Sequence, residues 1–338
     1  MIKVNRLTKK YGNHTAVNDI SFEIKKGGVY GFLGPNGAGK STTMNIITGC
    51  LAATEGEVTV GGFDIYEEAI KAKKLIGYLP ENPPLYTELS PYEYLKFVAE
   101  AKGVKKADMD AELTYVMTST GLVDVAFKLI SSLSKGYKQR VGIAQAMLGS
   151  PEIIILDEPT VGLDPKQIIE IRELIKSLGE EHTILFSSHI LSEVQELCEN
   201  VIIIANGKIV ANDSLENLRR AGTQHPILHL VAKTDPMSAM DIIDEFEEVS
   251  HYAITECDKG TDLELTLTEP VDITERLFFA FAEKGIPLLT ISAKEQSLEE
   301  LYLKLTESAL MDELSEDEED KNDELGEYTP MFTEEGEA

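Results

Sequence analysis

A chain of 338 residues with 43% hydrophobic content has room for one large or two ordinary domains and enough apolar side chains for a buried core. Its net charge of −28 at pH 7 argues against nucleic acid or an anionic membrane surface as a direct partner. No apolar run approaches a membrane span, and the basic start Met1–Gly12 has no apolar segment behind it, so neither direct membrane insertion nor a secretory signal is expected. Cys50, Cys198 and Cys257 are far apart and match no metal spacing. They suit a reducing compartment as small core residues, which points to a soluble, cytoplasmic protein.

Ile2–Leu7 and Ala16–Ile24 read as strands, with Tyr11 on the turn between them. An aromatic there either covers the strand pair or stacks on a base. Val29–Leu33 reads as a buried strand and the residues from Ser41 to Gly49 as a helix. Between them runs GPNGAGKSTT, which matches G-x-x-x-x-G-K-[ST] at Gly34, Gly39, Lys40 and Ser41. Strand, loop and helix in that order make a phosphate cradle. Glycines let backbone N–H groups turn inward, Lys40 reaches the β and γ oxygens, and the Ser41 hydroxyl is a Mg²⁺ ligand.

Glu55–Val60 is the next strand, turned by Gly61-Gly62. Gly77–Pro80 ends another strand and delivers Glu81, ahead of a Pro83-Pro84 loop that cannot be helical. From Pro91 to about Ile130 the pattern becomes helical, an insertion in an α/β chain. Leu133–Tyr137 then opens an amphipathic helix, where Ser134 and the Gly136 amide form either a cap or a second anion site. Ile153–Leu156 is a fully apolar strand ending in Asp157 and Glu158. Buried carboxylates are costly, so beside a phosphate loop Asp157 reads as a Mg²⁺-side acid and Glu158 as the base that orients water. Gly162-Leu163-Asp164-Pro165 turns into a helix. Thr183–Ser187 is another buried strand and ends at Ser188-His189, where such sheets bind ligands. Val201–Asn212 is a hairpin about Asn206-Gly207.

Taken together, these residues resemble the nucleotide-binding subunit of ABC transporters over residues 1–218. The matches run in order through the Tyr11 loop, the Gly34–Ser41 loop, the Leu133–Tyr137 signature, Asp157-Glu158, Gly162-Leu163-Asp164 and His189. The chain looks most like the export branch that serves drug, lipid and polysaccharide efflux and gliding-motility systems. The resemblance implies a P-loop NTPase (RecA-like) α/β core with an antiparallel β subdomain and a helical subdomain inserted at about 85–135. It implies ATP and Mg²⁺ as cofactors. Tyr11, Gly34, Pro35, Asn36, Gly37, Ala38, Gly39, Lys40, Ser41, Thr42, Ser134 and Gly136 would bind nucleotide. Ser41, Glu81 and Asp157 would hold the metal, and Glu158 and His189 would be catalytic. It also implies a second ATP-binding subunit, with a homodimer favoured, and an integral membrane permease that keeps this subunit peripheral on the inner face of the membrane. Two departures stand out: Glu81 replaces a Gln of the family pattern, and Lys135 and Tyr137 replace Gly and Gln in the signature.

Beyond residue 218 the order strand, helix, strand, strand, helix, strand is a β-α-β-β-α-β pattern, expected to form a small ferredoxin-like α+β accessory domain over 222–310. Dimerisation support is its plainer role and ligand sensing the sharper one. A last helix begins with a Ser297/Glu300 capping box. Residues 312–338 carry thirteen Asp and Glu against one Lys and read as a disordered acidic tail. A ribosome- or DNA-directed ATPase of the same family is disfavoured by the single cassette and by the lack of coiled-coil heptads and basic tracts. A phosphate-loop kinase or GTPase would leave the signature and His189 unused, and no Asn-Lys-x-Asp motif is present.

Overall fold

The computed structural model of the chain describes residues 1–222, 227–269, 271–294 and 298–307. Two compact units emerge, Met1–Asp213 together with residues 305–307, and Ser214–Lys304. The division falls at the end of the strand Lys208–Ser214, ahead of a helix that starts at Leu215. The acidic stretch 312–338 and Ser297 of the capping box lie outside the described residues.

In the first unit, β1 (Ile2–Tyr11) and β2 (His14–Ile24) pair antiparallel. Both run further than expected, so Tyr11 is the last residue of β1, opposite His14. Ile2 and Val4 point inward, but strict alternation would then turn Leu7 outward. A bulge at Arg6 (φ 46°) resets the phase and buries Leu7. Next come β3 (Val29–Leu33), α1 (Lys40–Ile47), β4 (Glu55–Val60), β5 (Phe63–Asp64), α2 (Ala69–Lys74) and β6 (Ile76–Leu79). The helical insertion holds α3 (Pro91–Ala101) and α4 (Met109–Ser119). Ser90 caps α3 through a reciprocal box with Glu93, and Pro91 takes the first helical position.

Then follow α5 (Lys135–Met147), β7 (Ile153–Asp157), α6 (Pro165–Leu178), β8 (Thr183–Ser188), α7 (Leu191–Leu197), β9 (Asn200–Ala205) and β10 (Lys208–Ser214). The first sheet has the order β2-β1-β4-β5, and the second β10-β9-β3-β8-β7-β6. Strands β9, β3, β8, β7 and β6 are parallel. Every residue of β7 and β8 is buried, which is what a parallel strand covered on both faces requires. Asn206 and Gly207 both take positive φ, matching the hairpin turn between β9 and β10.

The second unit runs α8 (Leu215–Gly222), β11 (Ile227–Ala232), α9 (Pro236–Ile243), β12 (Val249–Cys257), β13 (Gly260–Leu267), α10 (Thr274–Glu283) and β14 (Leu288–Lys294). Its sheet is antiparallel with order β12-β13-β11-β14, the ferredoxin-like arrangement. Leu228, Leu230, Leu263 and Leu265 meet Ile242, Ile243, Leu277 and Phe281 from the two helices. Helix α9 stops at Ile243, and Phe246 enters the core from the turn that follows. Of the cysteines only Cys198 is buried. Cys50 and Cys257 are exposed, which corrects their reading as core residues.

Candidate nucleotide-binding site

The loop from Gly34 to Gly39 joins β3, in the interior of the second sheet, to α1. Its shape is fixed from behind. A Cβ on Gly34 would lie 2.2 Å from the Ile204 carbonyl oxygen, and one on Gly39 would lie 2.5 Å from that of Ala16. Gly39 also adopts φ 102°, so a larger residue is excluded twice. The loop's buried back continues through Ala38, whose carbonyl accepts the Gly207 N–H at 3.1 Å. Gly39 is the N-cap of α1 and supplies no side-chain cap. The first-turn residues Lys40, Ser41 and Thr42, with Asn36 and Gly37, line a cavity of about 500 Å³. A helix start without a side-chain cap offers N–H groups and positive potential to an anion.

Lys40 is 5% exposed. Its ammonium donates to the carbonyls of Gly34 (2.8 Å) and Pro35 (3.1 Å) and stands 3.3 Å from Glu158 Oε1. Glu158 follows β7 in a left-handed conformation (φ 48°) and is 6% exposed. Its Oε2 lies 2.9 Å from His189 Nδ1, at the end of β8. One carboxylate is thus held between the loop lysine and the histidine. Ser187 fixes it from below, accepting the Glu158 N–H at 2.9 Å and donating to Asp157 Oδ1 at 2.5 Å.

Asp157 is 2% exposed, and burial raises its carboxyl above the usual range. Hydrogen bonds from Ser187 and Ser41 lower it in part, the neighbouring Glu158 charge raises it, and Lys40 lowers it. A carboxylate kept buried behind the Ser41 hydroxyl at that cost suits a cation held in front of it. Among the described residues no three His, Cys, Asp or Glu side chains form a ready metal cluster. Mg²⁺ needs none here, since it retains waters and phosphate oxygens and takes few protein ligands. Ser41, the cavity-lining Glu81 and Asp157 fit that pattern.

Tyr11 lines the cavity, 48% exposed, with Lys9 Nζ 5.1 Å from its ring centroid. Ser134 caps α5 by accepting the Tyr137 N–H, and neither Ser134 nor Gly136 lines the cavity. Within one chain the structure therefore gathers the phosphate loop, Tyr11, Glu81, Glu158 and His189, and leaves the signature residues elsewhere. Sequence reasoning missed His14, Ala16 and Val161, which also line the cavity, and Ser187 beneath the acid pair. The two serines that follow the apolar run Ile184, Leu185 and Phe186 are the signal for Ser187.

The model of the ABC transporter family matches residues 17–161. The linearmycin resistance ATP-binding protein LnrL of Bacillus subtilis (strain 168) is 35% identical, over 92% of this chain and 100% of the relative. The bacitracin transport ATP-binding protein BcrA of Bacillus licheniformis is also 35% identical, over 90% and 97%. Among solved structures, a dimeric ATP-binding cassette in a post-hydrolysis state bound to ADP and Pi is 28% identical with a TM-score of 0.58. It covers 64% of this chain and 99% of its own. Among the described residues no helix is long and apolar enough to cross a membrane.

Proposed function

This chain belongs to the ATP-binding proteins of ABC transporters, and from that membership we propose that two copies hydrolyse ATP between them to drive a separate membrane permease that exports its substrate. The arrangement of Lys40, Glu158 and His189 carries this reading. Lys40 donates to loop carbonyls and stands against Glu158. The β and γ oxygens of ATP would draw the ammonium toward themselves. Glu158, oriented by His189, would then take a proton from the attacking water, with His189 beside the γ-phosphoryl being transferred and ADP as the leaving group. Mg²⁺, held by Ser41, Glu81 and Asp157, would neutralise charge on the phosphate oxygens. Tyr11 offers a ring to the adenine.

The signature supports the second copy. Ser134 and Gly136 begin a 13-residue helix, an anion-ready end with no place in the cavity of their own chain. A two-fold dimer would bring them to the partner's phosphate loop. Export is supported by relatives named for linearmycin resistance and bacitracin transport.

The test uses two inactive chains, Lys40→Ala and Ser134→Arg. In a two-fold dimer, random pairing of the mixture restores about a quarter of the composite sites, read as single-turnover ATP hydrolysis. No gain above the separate chains would contradict a shared site.

A further inference from the structure

Behind His189 lies a charged cluster around one buried carboxylate, which the hydrolysis mechanism does not use. Glu193, on α7, is 1% exposed. Its Oε2 accepts the Ser188 hydroxyl at 2.7 Å, and the same Ser188 oxygen accepts the Ile190 N–H at 3.0 Å. The Ser188 carbonyl, in turn, accepts the N–H of Gly34, the first residue of the phosphate loop, at 3.3 Å. Ser188 is therefore pinned on three sides, one residue before His189. The anchor itself is stiff, because α7 presses on β3 so closely that a Cβ on Gly31 would meet Val194 Cγ1 at 2.7 Å and Cys198 Sγ at 3.1 Å.

The other oxygen of Glu193 faces α6. Arg172 Nη2 stands 3.7 Å from Oε1, while Arg172 Nη1 reaches Glu196 Oε2 at 2.5 Å. Arg172 Nε and Glu193 Oε1 are both buried without a hydrogen-bond partner. A buried carboxylate with one oxygen left without a hydrogen bond is a costly thing to keep for packing alone. An apolar residue would fill the space at lower cost.

We propose that Glu193 is a positioning residue for ATP hydrolysis: through Ser188 it fixes His189 against Glu158, with Arg172 as its counter-charge. The proposal rests on the role given to His189 above. Without the Glu193–Ser188 bond, the turn after β8 is free to rotate, and His189 loses its place beside the Glu158 carboxylate. ATP binding rests on the phosphate loop and stays intact.

Steady-state ATPase kinetics of the full chain test this, with Glu193→Leu, Ser188→Ala and His189→Ala compared singly and as the Glu193/His189 and Ser188/His189 pairs. Glu193→Leu and Ser188→Ala each remove the Glu193–Ser188 hydrogen bond and are expected to lower kcat about tenfold or more, with KM for ATP held within about twofold. On a His189→Ala background neither should cost more than about twofold further, since both act through that ring. Ser188→Ala is close to isosteric, so it carries the test if Glu193→Leu folds poorly. Equal losses in both backgrounds, or a rise in KM that accounts for the whole defect, would overturn the positioning role alone. Wild-type turnover in His189→Ala would overturn both this role and the catalytic reading of His189.

Discussion

Around the ends of β3, β7 and β8 the first unit buries Lys40, Asp157, Glu158, Ser187, Ser188 and Glu193. In the second unit, among the described residues, Thr261 is the buried polar side chain. Both units pack helices on sheets over aliphatic cores. They differ in what they can tolerate inside. Burying a charge costs stability unless it is paired, and even a paired charge rarely outperforms an apolar side chain. The first unit carries such charges at the C-terminal ends of its parallel strands, where Lys40 and Glu158 face a cavity. The second caps the Thr261 hydroxyl on the Thr234 carbonyl at 2.7 Å. Among the described residues the buried charges are thus concentrated in the first unit.

The sharpest way to break this contrast is Lys40→Ala. It leaves Glu158 buried without its cation and removes the charge that meets the β and γ oxygens. ATP binding by fluorescence titration should fall beyond the measurable range, and hydrolysis with it. Normal turnover would remove the phosphate-loop assignment.

Asp157→Asn should affect stability and function in opposite directions. Burial raises the Asp157 carboxyl, so folding disfavours its ionised form. The stability it contributes is complete below the unfolded carboxyl range and is lost as pH rises through the raised folded value. At neutral pH without metal, the neutral Asn variant should therefore melt higher than wild type. Its Mg²⁺ requirement for half-maximal turnover should rise about tenfold or more. A lower Tm together with an unchanged Mg²⁺ curve would place Asp157 among ordinary structural acids.

Phe281→Ala probes the other unit, since Phe281 is fully buried between α10 and the sheet. The cavity should cost that unit about 3–5 kcal/mol, seen by denaturant titration, while KM for ATP stays unchanged. Thr261→Val is the mildest case. It strips a hydrogen bond from the Thr234 carbonyl and should cost about 1 kcal/mol, with no effect on hydrolysis.

Local chemistry was legible in the sequence, and long-range packing was not. Gly34–Ser41 could be read because the cradle is contiguous, and Asp157-Glu158 because two acids ending an apolar strand contradict burial. The β-α-β-β-α-β order of the second unit showed in alternating runs such as Asp262–Leu267. By contrast, the grip of Ser187 on the acid pair and the Arg172–Glu193 contact join residues on separate strands and helices, which no local pattern announces. Tyr11 looked like a turn residue because the Gly12-Asn13 pair hides how far the strands extend on either side. Residue type alone places Cys50 and Cys257 in the core, and exposure depends on neighbours that type does not reveal.

The shared-site account is tested most directly by sedimentation of Glu158→Gln with and without ATP. This change keeps the shape beside Lys40 and His189 but removes the base, so ATP should bind and persist. Turnover should fall by at least about 10²–10³-fold. The account predicts a monomer without nucleotide that shifts to a stable dimer with ATP, and no shift when Ser134→Arg is added. A species that stays monomeric while saturated with ATP would contradict it.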